Sequence, residues 1–163
     1  MKRLILIRHG EAERDPPPGG GDFDRVLTDR GRHESTRAGV RIAEAEVTPD
    51  VALVSSAART RETWDQAGKA WGAVETRLMR QLYNADAGAL LAAAQAEEAD
   101  VVALVAHNPG AQSLAVRLLR QAGEAEAAAK AERHFPTAAA LVISFGDEAG
   151  AQVIDPADDL ADN

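Results

Sequence analysis

Three short segments carry residues with more chemistry than a scaffold needs. Arg8-His9-Gly10 follows the apolar run Leu4-Ile5-Leu6-Ile7. Ser55-Ser56-Ala57-Ala58-Arg59 follows Val51-Ala52-Leu53-Val54, and His107-Asn108 follows the run from Val101 to Ala106. If the three apolar runs are parallel neighbouring strands, two arginines and two histidines meet at the carboxyl edge of a sheet, where α/β proteins bind ligands. Arginines ringing an imidazole call for an anion, and a phosphoryl group fits: a guanidinium grips its outer oxygens with a planar fork. One imidazole nitrogen can attack phosphorus in line and form a covalent phosphohistidine, while the arginines stabilise the charge spread over the transition state. Attack needs a neutral ring with its other nitrogen held, and the carbonyl of Gly10 or a nearby one is the candidate holder. Gly10 also lets the chain turn sharply and a ligand approach the backbone.

The elements that must position these residues alternate. Arg3 to Ile7 reads as a buried strand. Residues 14–24 read as a loop, since Pro16-Pro17-Pro18-Gly19-Gly20-Gly21 fits neither a helix nor an inner strand. Thr28 or Asp29 caps a helix running to about Ala45, with Ala38, Ile42 and Ala45 on one face. After the Thr48-Pro49-Asp50 turn, Val51 to Val54 forms a second strand, and Ser55 or Ser56 caps a helix to about Trp71, stopped by Gly72. A weak strand at Val74 to Leu78 and a helix at Ala87 to Ala96 follow. Val101 to Ala106 has the unbroken apolar character of a strand covered on both faces. The next helix shows Ala111, Leu114, Ala115 and Leu118 at helical spacing. Ala122 to Glu132 is an alanine-rich helix or a loose connection, and Ala139 to Phe145 with Ala151 to Ile154 reads as a hairpin across residues 146–150. This order predicts a three-layer α/β/α sandwich around a central, mainly parallel sheet. Residues 1–155 form one domain, and 156–163 an acidic, frayed tail.

Composition narrows the partners. The 163 residues carry 18 Lys and Arg against 26 Asp and Glu, for a net charge of −8, and aromatics make up 4%. That argues against nucleic acid, which needs a basic face and stacking platforms, and against anionic lipid. There is no cysteine, hence no disulfide framework or thiolate chemistry, which fits a reducing, cytoplasmic location. The opening Met1-Lys2-Arg3 and four aliphatics are too short for a signal peptide or a membrane span.

Together these residues make a family resemblance specific. Arg8-His9-Gly10-Glu11-Ala12 resembles the signature of the histidine phosphatase superfamily, the phosphoglycerate-mutase-like enzymes. The segment from Asp22 to Gly31 resembles its small SixA-like phosphohistidine phosphatase branch, which has no large cap domain. Ser55 to Arg59 with Thr63 matches the second arginine motif, and Ala106-His107-Asn108-Pro109 the second-histidine motif, in family order. The resemblance implies that His9 is the nucleophile and that Arg8, Arg59 and His107 bind the phosphoryl group. It adds Arg25 as a substrate ligand, beside Gly10, Asn108 and Thr28; Thr28 has the competing use of an N-cap. Ser56 stands where the family often has proline and Ala106 where it often has glycine. Many relatives also carry a glutamate after the third strand that protonates the leaving group; here residues 80–86 read Arg-Gln-Leu-Tyr-Asn-Ala-Asp. An alkoxide needs such a proton, whereas imidazole takes one readily near neutral pH. The departure favours a P–N substrate, with Glu11, Asp15 and Asp86 as the alternative acids.

Blander uses compete elsewhere. His33 lies beside Arg30, Arg32 and Arg37 on a solvated helix face, and His134 sits in a turn. Arg14 and Arg61 are solvated or reach a phosphate. His9, Glu11 and His107 are the one set that can be drawn toward a metal, but no zinc motif is present and the arginines repel a cation. No cofactor is implied. The expected function is thus a metal-independent phosphatase acting through a phosphohistidine on His9, with a phosphohistidine-bearing protein as substrate. The alternatives are a phosphomonoesterase for a small metabolite and a non-catalytic phosphate- or phosphopeptide-binding module. Oligomeric state is left open, and the loop at Pro16 to Gly21 is a candidate lid.

Overall fold

The computed structural model describes residues 1–147 and 149–157. The elements are β1 (Arg3–Arg8), α1 (Asp29–Glu44), β2 (Val51–Ser55), α2 (Ala58–Ala67), β3 (Glu75–Met79), α3 (Ala87–Gln95), β4 (Val101–Ala106), α4 (Gly110–Gln121), α5 (Ala125–Arg133), β5 (Ala140–Ser144) and β6 (Gly150–Ile154). They build a six-stranded sheet in the order β3-β2-β4-β1-β5-β6. β1 to β4 are mutually parallel, and β5 is antiparallel to both β1 and β6.

Strand alternation divides the core. Leu4 and Leu6 of β1, Leu53 of β2 and Leu104 of β4 face the side covered by α3, α4 and α5. Ile5, Ile7, Val54 and Val105 face the other side, with Ile42 of α1 and Trp64 of α2. Both faces of the inner strands are dry, which accounts for the unbroken apolar runs. Because β4 lies between β1 and β2, and Arg8 pairs with Ala106 in register, the residues following these three strands emerge side by side.

Several expected boundaries shift by one to four residues. Thr28 is the N-cap of α1 and accepts from the Gly31 N–H. Neither Ser55 nor Ser56 caps α2. Ser55 is the last residue of β2, and the N-cap is Ala57, which offers no side-chain acceptor. Thr60 ties that turn instead, donating to the carbonyls of Ser55 and Ala57 at 2.6 and 2.9 Å. The helix also stops sooner than expected, at Ala67, with a 3-10 turn (Gly68–Ala70) before Gly72 reverses the chain at φ +74°. The alanine-rich stretch is helical from Ala125, and residues 14–24 contain a 3-10 turn (Asp22–Asp24). In the hairpin turn Glu148, and in the expected tail residues 158–163, lie outside the described residues.

The glycine after His9 answers to a packing demand. A Cβ on Gly10 would meet the Gly31 carbonyl at 2.5 Å, and one on Gly31 would meet the Glu11 carbonyl at 2.0 Å. The first turn of α1 therefore packs directly against the Arg8-His9-Gly10 backbone.

Candidate active site

β1 delivers Arg8 and His9, β4 delivers His107, and the first turn of α2 delivers Arg59. His9, Arg59 and His107 are buried, and the two imidazoles stand 5.4 Å apart, centroid to centroid. The His9 Nδ1 lies 2.7 Å from its neighbour's carbonyl, Gly10 O. A carbonyl can only accept, so Nδ1 carries the proton and Nε2 the lone pair. Burial pushes the His9 ring down to about 4; the Gly10 bond opposes this, and the Arg59, Arg8 and Arg25 charges add to it. His107 is pushed down to about 3, by burial first and then by His9 and Arg59. Both rings are neutral at pH 7.

The supports are specific. The Gly10 N–H donates to Thr63 Oγ1 at 3.0 Å, and that hydroxyl donates to the Arg59 carbonyl at 2.7 Å, linking the first and second segments. His107 Nε2 meets Ser55 Oγ at 2.8 Å. Arg8 donates to the Phe135 carbonyl at 2.9 Å, as does the Asn108 amide at 3.2 Å. Arg59 and Arg8 each keep a buried Nε, and His107 a buried Nδ1, with no hydrogen-bond partner among the described residues. Stranded buried polar atoms are costly. Beside the uncapped start of α2, a ten-residue helix, they fit an oxyanion.

At the rim stands a group that the sequence did not single out. Asp22 pairs with Arg59 (Nη2 to Oδ2, 3.1 Å) and with Arg25 (Nε to Oδ1, 3.0 Å), and it accepts from the Tyr83 hydroxyl. Its backbone carbonyl also accepts from Arg59 at 2.8 Å. The Tyr83 bond first, then Arg59 and Arg25, hold the Asp22 carboxyl at about 2, while Asp22 in turn raises the Tyr83 hydroxyl. Tyr83 packs edge-on against both Phe23 and His107, at 5.0 and 5.4 Å. Composition alone gave no signal for this cluster. The one available hint was the match of the Asp22 to Gly31 segment to the SixA-like branch.

The remaining candidates are placed as follows. Arg25 lies on the rim, also donating to the Glu13 carbonyl at 2.8 Å. Thr28 caps α1 and donates to Glu11 Oε1 at 3.2 Å. Glu11 therefore turns toward Thr28 and Arg30, so that His9, Glu11 and His107 do not converge. Among the described residues, no three His, Cys, Asp or Glu side chains are grouped to hold a metal ion. Asp86 caps α3, accepting from the Ala89 N–H at 2.8 Å, and Asp15 is exposed. Arg14, Arg61, His33 and His134 are exposed. No described helix is long and apolar enough to cross a membrane.

The strand ends of this α/β protein thus gather arginines around two neutral histidines, a site suited to an oxyanion. Residues 4–113 match the histidine phosphatase superfamily (branch 1), and the chain belongs to that family. A protein assigned as the phosphohistidine phosphatase SixA of Agrobacterium tumefaciens superposes with a TM-score of 0.78 at 30% identity, over 94% of this chain and 96% of that one. The protein histidine phosphatase SixA, solved in complex with tungstate, superposes at 0.76 with 22% identity, over 96% and 98% of the two chains. A 64-residue stretch is 39% identical to the mitochondrial serine/threonine-protein phosphatase Pgam5 of Drosophila grimshawi, covering 39% of this chain and only 21% of that protein. The fold is phosphoglycerate-mutase-like and SixA-like, with no large cap domain among the described residues, and the family supports phosphatase activity.

Proposed function

We propose that this protein is a metal-independent phosphatase that removes phosphoryl groups from phosphohistidine in proteins, with His9 as the covalent relay. The state of Asp22 carries the P–N reading. This rim carboxylate accepts from Tyr83, Arg59 and Arg25, which hold it at about 2, so it is ionised and has no proton to supply. An alcohol would leave as an alkoxide, for which such a group offers no help; an imidazole needs none.

In this reading the phosphoryl oxygens take the unpartnered Nε donors of Arg8 and Arg59 and the Nδ1 of His107, with Arg25 and the Asn108 region at the edge. The His9 Nε2 lone pair attacks phosphorus while the substrate P–N bond breaks, and its electron pair returns to the leaving imidazole. Water then attacks phosphorus, the P–Nε2 bond breaks, and phosphate departs with His9 restored. The arginines carry the equatorial charge in both steps. Gly10 acts by holding His9 Nδ1, Asn108 by bonding the same Phe135 carbonyl as Arg8, and Thr28 through its hold on α1.

The test is a comparison of kcat/KM on a phosphohistidine protein and on a panel of phosphate monoesters, in the wild type and in His9→Ala. The expected result is faster P–N hydrolysis, abolished with His9. A wild type that prefers a small monoester overturns the substrate class. A fully active His9→Ala overturns the mechanism.

A further inference from the structure

Asp22, Tyr83 and Phe23 have a geometry that the relay chemistry leaves unused. Asp22 sits across the Arg59 guanidinium from that group's buried, unpartnered Nε. Asp22 and the unpartnered Nε thus share one guanidinium, so a phosphoryl group held at Nε has the Asp22 carboxylate one guanidinium away. A carboxylate has about four acceptor positions, of which Arg25, Arg59 and Tyr83 take three. The Asp22 side chain is 53% exposed, so the remaining position on Oδ1 is reachable from outside. Beside it stand two aromatic rings at right angles, Phe23 and Tyr83, both half-buried. Each already has a guanidinium over its ring, Arg80 at 4.5 Å from the Phe23 centroid and Arg59 at 5.9 Å from that of Tyr83, so this pair accommodates cationic planes.

We propose that Asp22 and the Phe23–Tyr83 pair form a leaving-group subsite that selects a flat, cationic ring carrying an N–H. The inference rests on the phosphohistidine reading above and assigns residues to its specificity. In N-phosphoimidazole, the ring nitrogen not bonded to phosphorus takes a proton from solvent and makes the ring cationic. Asp22 accepts a hydrogen bond from that N–H while the aromatic faces flank the plane. When the P–N bond breaks, its electron pair returns to the ring, which leaves as neutral imidazole and loosens its hold on Asp22. A phenyl ester offers the plane without the charge, and phosphoramidate offers a cationic leaving group without the plane.

These three compounds separate the contributions. Phosphoimidazole, phosphoramidate and phenyl phosphate are compared by kcat/KM in the wild type, Asp22→Asn and Phe23→Leu. Asp22→Asn is expected to lower the phosphoimidazole-to-phenyl phosphate ratio roughly 10- to 100-fold, the worth of a hydrogen bond to a charged group. Phe23→Leu should lower the phosphoimidazole-to-phosphoramidate ratio several-fold. Using ratios cancels any loosening of Arg59, which slows all three substrates alike. Parallel losses in Asp22→Asn would make Asp22 a mere brace for the arginines, and parallel gains would make it a competitor of phosphate; either result overturns the subsite. A wild type inactive on phosphoimidazole and phosphoramidate but active on phenyl phosphate would instead sink the P–N reading and the subsite together.

Discussion

Lowering the pH is the cleanest perturbation of this site, because His9, the proposed nucleophile, must be neutral to attack. His9 is held at about 4 by burial, against an ordinary value near 6.5. At pH 5 a ring titrating at about 4 remains roughly nine-tenths neutral, whereas one titrating at 6.5 is only about 3% neutral, a difference of about 30-fold in competent enzyme. The acid limb of kcat/KM, measured on a monoester whose own ionisation has been titrated separately, should therefore stay flat to about pH 5 and fall tenfold per unit well below 4. Proton NMR gives the direct check, with the His9 ring signal assigned by its loss in His9→Gln. The same shift links folding to pH. A ring neutral in the fold and titrating normally when unfolded contributes stability that is full above about 6.5 and is lost as pH drops toward 4 for His9, and toward 3 for His107. For His9 alone the loss is on the order of 3 kcal/mol, and His9→Gln should flatten that part of the denaturation profile. A His9 signal titrating near 6.5, with activity halved there, would refute the reasoning.

Three further outcomes are expected. Arg59→Ala should cost roughly 10²–10³-fold in kcat, by analogy with the loss of one oxyanion donor, and Arg59→Lys should recover little because an ammonium cannot copy the fork; steady-state kinetics on a correctly folded variant checks both. Activity should persist in excess chelator, the arginines supplying the positive charge; loss in EDTA reversed by zinc or magnesium would contradict this. Gly31→Ala should lower the melting temperature by several degrees, since its Cβ would sit 2.0 Å from the Glu11 carbonyl and overpacking costs about 1–3 kcal/mol. It should also slow turnover by displacing the segment that carries His9.

What the sequence revealed of this site follows from how each residue is delivered. Arg8, His9 and His107 stand at the ends of apolar runs, and a strand end fixes direction and neighbourhood at once; the order β2-β4-β1 then brings the ends together. Arg59 was legible because it opens the helix after β2. The two serines before it misled, since the local pattern of a capping residue does not reveal that Ser55 Oγ is engaged by His107, 52 positions away. The rim is illegible for the same reason. Asp22 meets Arg59 across 37 residues and Tyr83 across 61, joined by a proline- and glycine-rich loop and a short 3-10 turn, with no periodicity to give direction. The Phe135 carbonyl, 127 residues from Arg8, is a backbone group and has no side-chain signature. The sequence could show that residues 80–86 lack the expected glutamate. Only the fold shows that Tyr83 from that segment donates to a carboxylate arriving from the loop after β1. A segment read as having lost an acid thus supplies a donor that helps hold the Asp22 carboxyl below its ordinary range.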